Sequence, residues 1–355
     1  MKRYLVWGLS NRIAGTEMVI NNYVSHIDFC SFDFITFERP DNFENLFKGT
    51  ANRYFVITAK NRNPIKYYRD LRLFFREHKG EYSGLWFNTN HAANIDVLNY
   101  AHKANIPRLI VHSHNSMDPE SLLLKVLHRF HRKRMQREGT EFWACSDVAA
   151  KYMFPEKQYR FVPNLVDSDK VAFCKEKRNR LRRDLGLDNA FVIGSIGRLS
   201  PQKNHSFLVK VLASLCTSKM NAFLVIVGEG ELQDEIASLA ELLGVRDKVF
   251  FAGAQNDIQA WLSSFDVFAF PSLYEGLPVS LLEAQFNGLP CVISNQITQD
   301  AVISNNCFAC DIDSPDEWVT AINKSIRKPA SISLGAPADK FDIKRCAIIS
   351  HKLFD

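Results

Sequence analysis

The chain has 355 residues, 46% hydrophobic and 23% charged, a globular balance that excludes a disordered protein. That length exceeds what one core comfortably fills and points to two domains. The net charge of +5 is mild; it suits anionic ligands such as phosphates, or an anionic membrane surface, and does not call for nucleic acid as a partner.

At the N-terminus the apolar run 4–9 is shorter than a signal-peptide core and is broken at once by Asn11 and Arg12, so no secretion signal is expected. No stretch of about eighteen apolar residues occurs, so the expectation is a cytoplasmic protein whose membrane contact, if any, is peripheral on the inner face of the plasma membrane. Apolar runs at 4–7, 32–37, 54–57, 85–88 and 108–112 predict strands alternating with stretches of helical spacing, which is the rhythm of a mostly parallel sheet. Pro163 and Asn164 then punctuate the chain, and a charged helical stretch follows. The boundary falls there. Residues 1–165 form the first domain, 166–188 the linker region and 189–339 the second domain, with 340–355 packing back on the first.

The second half predicts strands at 191–196, 223–227, 249–251, 266–270 and 291–294. Helices are predicted at 204–215, on the spacing of Phe207, Leu208, Val211, Leu212 and Leu215, at 232–243, at 258–264 and from Pro278. This is a second doubly wound unit. Eight cysteines are scattered; Cys307 and Cys310 are close, but no second pair completes a zinc spacing, so reduced thiols are expected.

Two segments carry chemistry. In FPSLYEGLPVSLLEAQFNGLP, residues 270–290, a buried strand is followed by a turn at Glu275, Gly276 and Leu277, and a helix opens at Pro278, a favoured first helical position. Backbone N–H groups and the positive end of a helix dipole are thereby presented at the C-terminal edge of a parallel sheet, where such folds bind anions. Glu275 and Glu283 are carboxylates suited to vicinal hydroxyls of a sugar or ribose. In GRLSPQKN, residues 197–204, Gly197 allows a tight turn, Arg198 offers a bidentate fork and Lys203 a mobile charge, two complementary ways to hold a diphosphate.

Together with VGEGEL at 227–232 and PNLVD at 163–167, these segments resemble the GT-B glycosyltransferases of family 4, closest to the bacterial members that build exopolysaccharide or capsule repeats. The core of the resemblance is the E-x7-E signature, Glu275 to Glu283 here, joined in order by the GRLSPQKNH and LVIVGEGEL stretches. It implies an α/β GT-B fold, two Rossmann-like domains facing a cleft. It also implies a retaining transfer from a nucleotide diphosphate-sugar, UDP by family frequency, to a saccharide or polyprenyl-diphosphate-linked saccharide. Arg198 and Lys203 would hold the diphosphate, Glu275 would lie by the donor sugar and Glu283 would bind the ribose. The backbone amides around Gly276 and Leu277 would meet the phosphates. In the first domain a Gly-Gly-x-Glu loop is replaced by Ala14-Gly15-Thr16-Glu17, where Gly15 keeps close backbone approach possible. IVHSHN, residues 110–115, resembles the histidine-bearing strand end that reaches the donor sugar, and His114 is favoured over His112 because it sits beside Asn115 at the strand exit.

No cofactor or metal is expected. Asp311 and Asp313 imitate a D-x-D metal site but directly precede a helix start, and Arg198, Lys203 and a helix dipole take the place of a metal in this chemistry. The segment 122–137 interleaves Leu122, Leu123, Val126, Leu127 and Phe130 with Lys125, Arg129, Arg132, Lys133, Arg134 and Arg137. It suits either an anionic leaflet or a core-facing stripe with a solvated face. Two rival readings share the scaffold: a sugar-nucleotide 2-epimerase, and a non-catalytic nucleotide-sugar-binding partner subunit.

Overall fold

The computed structural model describes residues 1–9, 15–37, 52–115, 118–119, 121–135, 139–325, 334 and 336–354. The chain divides into two compact units: Met1–Leu165 with Ile343–Asp355, and Val166–Asp342.

The first unit is a seven-stranded parallel sheet of β1 (Lys2–Trp7), β2 (Cys30–Thr36), β3 (Tyr54–Val56), β4 (Gly84–Thr89), β5 (Arg108–Ser113), β6 (Thr140–Ala144) and β7 (Arg160–Phe161). Its order is 3-2-1-4-5-6-7. The helices α1 (Gly15–Val24), α2 (Pro64–Glu77), α3 (Asp96–Lys103), α4 (Leu122–Met135) and α5 (Asp147–Met153) fall between strands. Every residue of β2 is buried, the mark of a parallel strand covered on both faces. In α2 the Asn63 side chain accepts from the Lys66 N–H and Pro64 opens the first turn, while Tyr67, Leu71, Phe74 and Phe75 form the buried face.

The second unit begins with α6 (Ser168–Val171) and α7 (Lys175–Asp184). It continues as β8 (Phe191–Ile196), α8 (His205–Thr217), β9 (Ala222–Val227), α9 (Gln233–Leu242), β10 (Val249–Gly253) and α10 (Ile258–Ser264). Then come β11 (Val267–Phe270), α11 (Val279–Phe286), β12 (Cys291–Ser294), β13 (Cys307–Cys310) and α12 (Pro315–Lys324). Its six strands are parallel in the order β10-β9-β8-β11-β12-β13, the doubly wound arrangement whose switch point lies between β8 and β11. The stretch expected as a linker is docked onto this sheet: Arg178 donates to Asp266 at 2.5 Å and Arg182 donates to the same carboxylate at 3.0 Å. Asp266 also accepts from the Val192 N–H at 2.8 Å, so α7 is tied to β8 and to the residue before β11.

The final helix, α13 (Cys346–Phe354), belongs to the first unit. The Phe354 ring meets Tyr4, Trp86 and Trp143 edge-on at centroid distances of 5.1, 5.3 and 5.4 Å. Tyr4 Oη donates to the Phe354 carbonyl at 2.9 Å. A fully buried phenylalanine of this kind contributes about 2 kcal/mol through its apolar area alone.

Candidate active site

The two segments singled out in the second half leave the sheet side by side, one after β8 and one after β11, at the switch point. They are stapled together by backbone contacts. The Leu273 N–H donates to the Gln202 carbonyl at 2.9 Å, and Gln202 Nε2 donates to the Tyr274 carbonyl at 2.8 Å. Lys203 Nζ meets Glu275 Oε1 at 2.6 Å, with both side chains mostly buried, and lies 4.9 Å from the centre of the Phe270 ring. Residues 72 apart in sequence thus form one charged pair.

VGEGEL completes the floor. A Cβ on Gly228, whose φ is +137°, would stand 2.1 Å from the Gly197 carbonyl oxygen, and one on Gly230 would stand 2.2 Å from that of Leu199. Only glycine allows these approaches. Gly197 lies at a bend after β8 and gives the Lys203 stem room to pass: a Cβ there would lie 3.1 Å from Lys203 Cε. Arg198 pairs with Glu231 at 3.0 Å, and its side chain is 62% exposed. Glu231 is a partner that sequence reasoning passed over, although it lies inside a quoted motif.

Pro278 has extended dihedrals (φ −75°, ψ 109°) and is the N-cap, so α11 starts at Val279, one residue later than expected. The first-turn N–H groups of a helix have no intrahelical acceptors, and Gly276 and Leu277 lead the chain to that end. Glu283 lies in α11 with no partner to its carboxylate among the described residues. Although part of it reaches the surface, burial pushes its carboxyl up to about 7. His205, the first residue of α8, is pushed down to about 3 by burial and by the charge of Lys203.

In the first unit, Gly15 is the first residue of α1, with open space where a Cβ would stand. His114 follows β5, and its Nε2 lies 2.9 Å from Asn88 Oδ1. Its ring centroid is 4.0 Å from that of His112, and burial pushes His114 down to about 3. Asn88 carried no signal in the sequence.

Asp311 and Asp313 occupy a turn before α12. Asp311 Oδ1 accepts from the Asp313 N–H at 3.0 Å, and Glu317 reaches back to the Asp311 N–H at 3.0 Å, so both carboxylates are engaged by the turn's backbone; the N-cap itself is Ser314, whose side chain makes no cap hydrogen bond. Among the described residues no group of three or more His, Cys, Asp or Glu side chains could hold a metal ion. Cys307 and Cys310 are free thiols on β13, an odd spacing that sends them to opposite faces, and burial pushes them up to about 12 and about 11.

Two doubly wound units, one with a Lys–Glu pair, a glycine floor and a helix N-terminus at its switch point, define a GT-B glycosyltransferase. The comparisons agree. The family Glycosyl transferases group 1 matches residues 177–334. The chain is 30% identical over 301 residues to EpsF of Bacillus subtilis (strain 168), spanning 80% of this chain and 77% of that one. It is 33% identical over 167 residues to the UDP-Gal:alpha-D-GlcNAc-diphosphoundecaprenol alpha-1,3-galactosyltransferase of Escherichia coli, across 45% of this chain and 43% of that one. HepE of Anabaena, solved in complex with UDP and glucose, superposes with a TM-score of 0.83 over 99% of both chains at 20% identity. The chain belongs to the Glycosyl transferases group 1 family, and it is an enzyme, a glycosyltransferase.

Proposed function

We propose that the enzyme transfers a hexose or N-acetylhexosamine, with retention, from a UDP-sugar to a polyprenyl-diphosphate-linked saccharide during exopolysaccharide, capsule or lipopolysaccharide assembly. The observation that carries this reading is the Lys203–Glu275 pair beside the N-terminus of α11. Lys203 supplies the positive charge and the α11 dipole a second positive element for a diphosphate. Arg198, exposed and paired with Glu231, swings to the same anion. Glu275 then accepts from hydroxyls of the sugar, and Glu283 accepts from those of the ribose. As the glycosidic bond breaks, negative charge grows on the leaving diphosphate. Lys203, already in place, and Arg198, once it has swung in, stabilise it, while the acceptor oxygen bonds to the anomeric carbon on the same face and gives its proton to a diphosphate oxygen. The charges of Lys203 and Arg198 serve where other transferases use a metal, so none is required. UDP in the HepE complex and the lipid diphosphate in the name of the Escherichia coli relative support the choice of nucleotide and acceptor.

The acceptor brings the enzyme to a membrane. On α4, Leu122, Leu123, Val126 and Phe130 are 77, 67, 58 and 53% exposed, so the apolar stripe faces solvent and not the core. Arg129, Lys133 and Arg134 are exposed beside it, with the Arg134 guanidinium 4.1 Å from the Phe130 ring. Arg137 lies outside the described residues. An apolar stripe flanked by cations complements the acyl boundary and head groups of an anionic leaflet. No helix among the described residues is long and apolar enough to cross a membrane, and docking by α4 supplies a peripheral attachment.

The test is thermal stabilisation by a panel of nucleotide-sugars. A true donor at a hundredfold its Kd adds about 2.7 kcal/mol to the second unit, and a panel in which no uridine nucleotide stabilises the protein defeats the proposal.

A further inference from the structure

We propose that Asn88 is a positioning residue that holds His114 in its Nε2–H tautomer, leaving a bare Nδ1 to accept a hydroxyl of the donor sugar. Only the ownership of that hydroxyl rests on the function proposed above; the tautomer follows from the first unit alone.

The Asn88 amide has one orientation. Its Nδ2 lies 3.2 Å from the Trp7 carbonyl and 3.4 Å from the Trp86 carbonyl, two acceptors that only the NH2 end can satisfy. Oδ1 therefore faces His114, and an atom that only accepts requires a donor at 2.9 Å, so His114 Nε2 carries the proton. The other ring nitrogen is then a lone pair. His114 Nδ1 is buried and has no hydrogen-bond partner among the described residues. A buried acceptor without a donor is costly, and buried polar side-chain atoms ordinarily find a partner in the protein.

The surroundings keep this ring neutral. His112, whose ring lies 4.0 Å away and tilted by 47°, receives the Trp86 indole N–H on Nδ1 at 3.3 Å, so it too is a neutral Nε2–H imidazole. A neutral His114 with a bare Nδ1 is an acceptor and not a donor at that atom. The backbone is shaped around the pair: Gly8, at φ +116°, comes so near that a Cβ on it would stand 2.5 Å from the Asn88 carbonyl oxygen and 2.7 Å from Asn88 Cβ. A sugar hydroxyl both donates and accepts, and a bare imidazole nitrogen reads its donor side.

Long-range 15N–1H spectra of histidine-labelled protein distinguish the two neutral tautomers directly. The expected spectrum at pH 7 has His114 as Nε2–H, with its Nδ1 resonance moving on addition of UDP-glucose, UDP-galactose or an N-acetylated counterpart and not on addition of UDP. Asn88→Leu should mix the tautomers and lower sugar transfer or donor hydrolysis about tenfold while UDP affinity holds. An Nδ1–H or doubly protonated His114 in the wild-type protein overturns the proposal even if Asn88→Leu fails to fold. So does an Asn88→Leu protein with unchanged transfer. If UDP stabilises the protein but no sugar of the panel moves Nδ1, the sugar contact is overturned. If UDP itself does not bind, the nucleotide reading fails instead, and the free-protein spectrum still decides the role of Asn88.

Discussion

Glu283 offers the sharpest test of the nucleotide site, because the same carboxyl should govern nucleotide affinity and stability with opposite pH dependence. Burial raises it to about 7 from an ordinary 4.5, so at pH 6 about a tenth of it is ionised and at pH 8 about nine-tenths. If Glu283 accepts two ribose hydroxyls as a carboxylate, those charge-assisted bonds are worth about 3 kcal/mol together, or about a hundredfold in UDP affinity at pH 8. Glu283→Gln should lose that factor at pH 8 but only about a tenth of it at pH 6, where the wild-type carboxyl is already mostly neutral. The nucleotide's own titration cancels when the two proteins are compared at each pH by calorimetry. In the free protein the effect reverses. A folded pKa above the unfolded one means the stability Glu283 contributes is fully present below about 4.5 and is lost as pH rises through about 7. Glu283→Gln should therefore be more stable than wild type at pH 8, by up to about 3 kcal/mol before solvent screening of its exposed edge is counted, and should match it at about pH 4. A pH-independent affinity ratio between the two proteins, or a variant that binds UDP as well as wild type at pH 8, would refute the reasoning.

Lys203→Ala and Arg198→Ala should each leave the circular dichroism spectrum unchanged and cost about 2.7–4 kcal/mol of transition-state stabilisation, measured as kcat/KM for transfer; near-normal turnover in both sinks the diphosphate assignment. Transfer should persist in excess EDTA. If it stops and manganese restores it, Asp311 and Asp313 return as metal-ligand candidates. The protein should co-sediment with anionic liposomes at low salt and release at high salt, because exposed charges are screened beyond about 8 Å at physiological ionic strength. Changing Arg129, Lys133 and Arg134 together to Glu should abolish that binding, and equal binding to neutral vesicles would remove α4 from the mechanism.

The βα rhythm was legible because doubly buried parallel strands leave unbroken apolar runs between amphipathic helices. It failed where strands are short or edge-bound. β7 has two residues, β13 has four and drew attention only for its cysteines, and β6 follows a basic segment that dominates its neighbourhood. Lys203 and Glu275 were legible as motif members, but their 2.6 Å contact depends on two loops meeting at the switch point. Arg198 could be named and its Glu231 partner could not, since side-chain pairing across loops leaves no periodic trace. Asn88 was invisible for a related reason: its partners Trp7 and His114 are 81 and 26 residues away, and only the sheet order brings β1, β4 and the end of β5 together.

Phe354 sits among Tyr4, Trp86 and Trp143, so the core of the first unit includes a side chain from the far end of the 355-residue sequence. On the ribosome, the second unit's residues 166–342 are all synthesised before α13, while the first unit waits with an aromatic core open at one position. At about 5–20 residues per second, the interval from residue 165 to residue 354 lasts roughly 10–40 seconds. The aromatic core of the first unit therefore cannot take in Phe354 until the whole of the second unit has been synthesised.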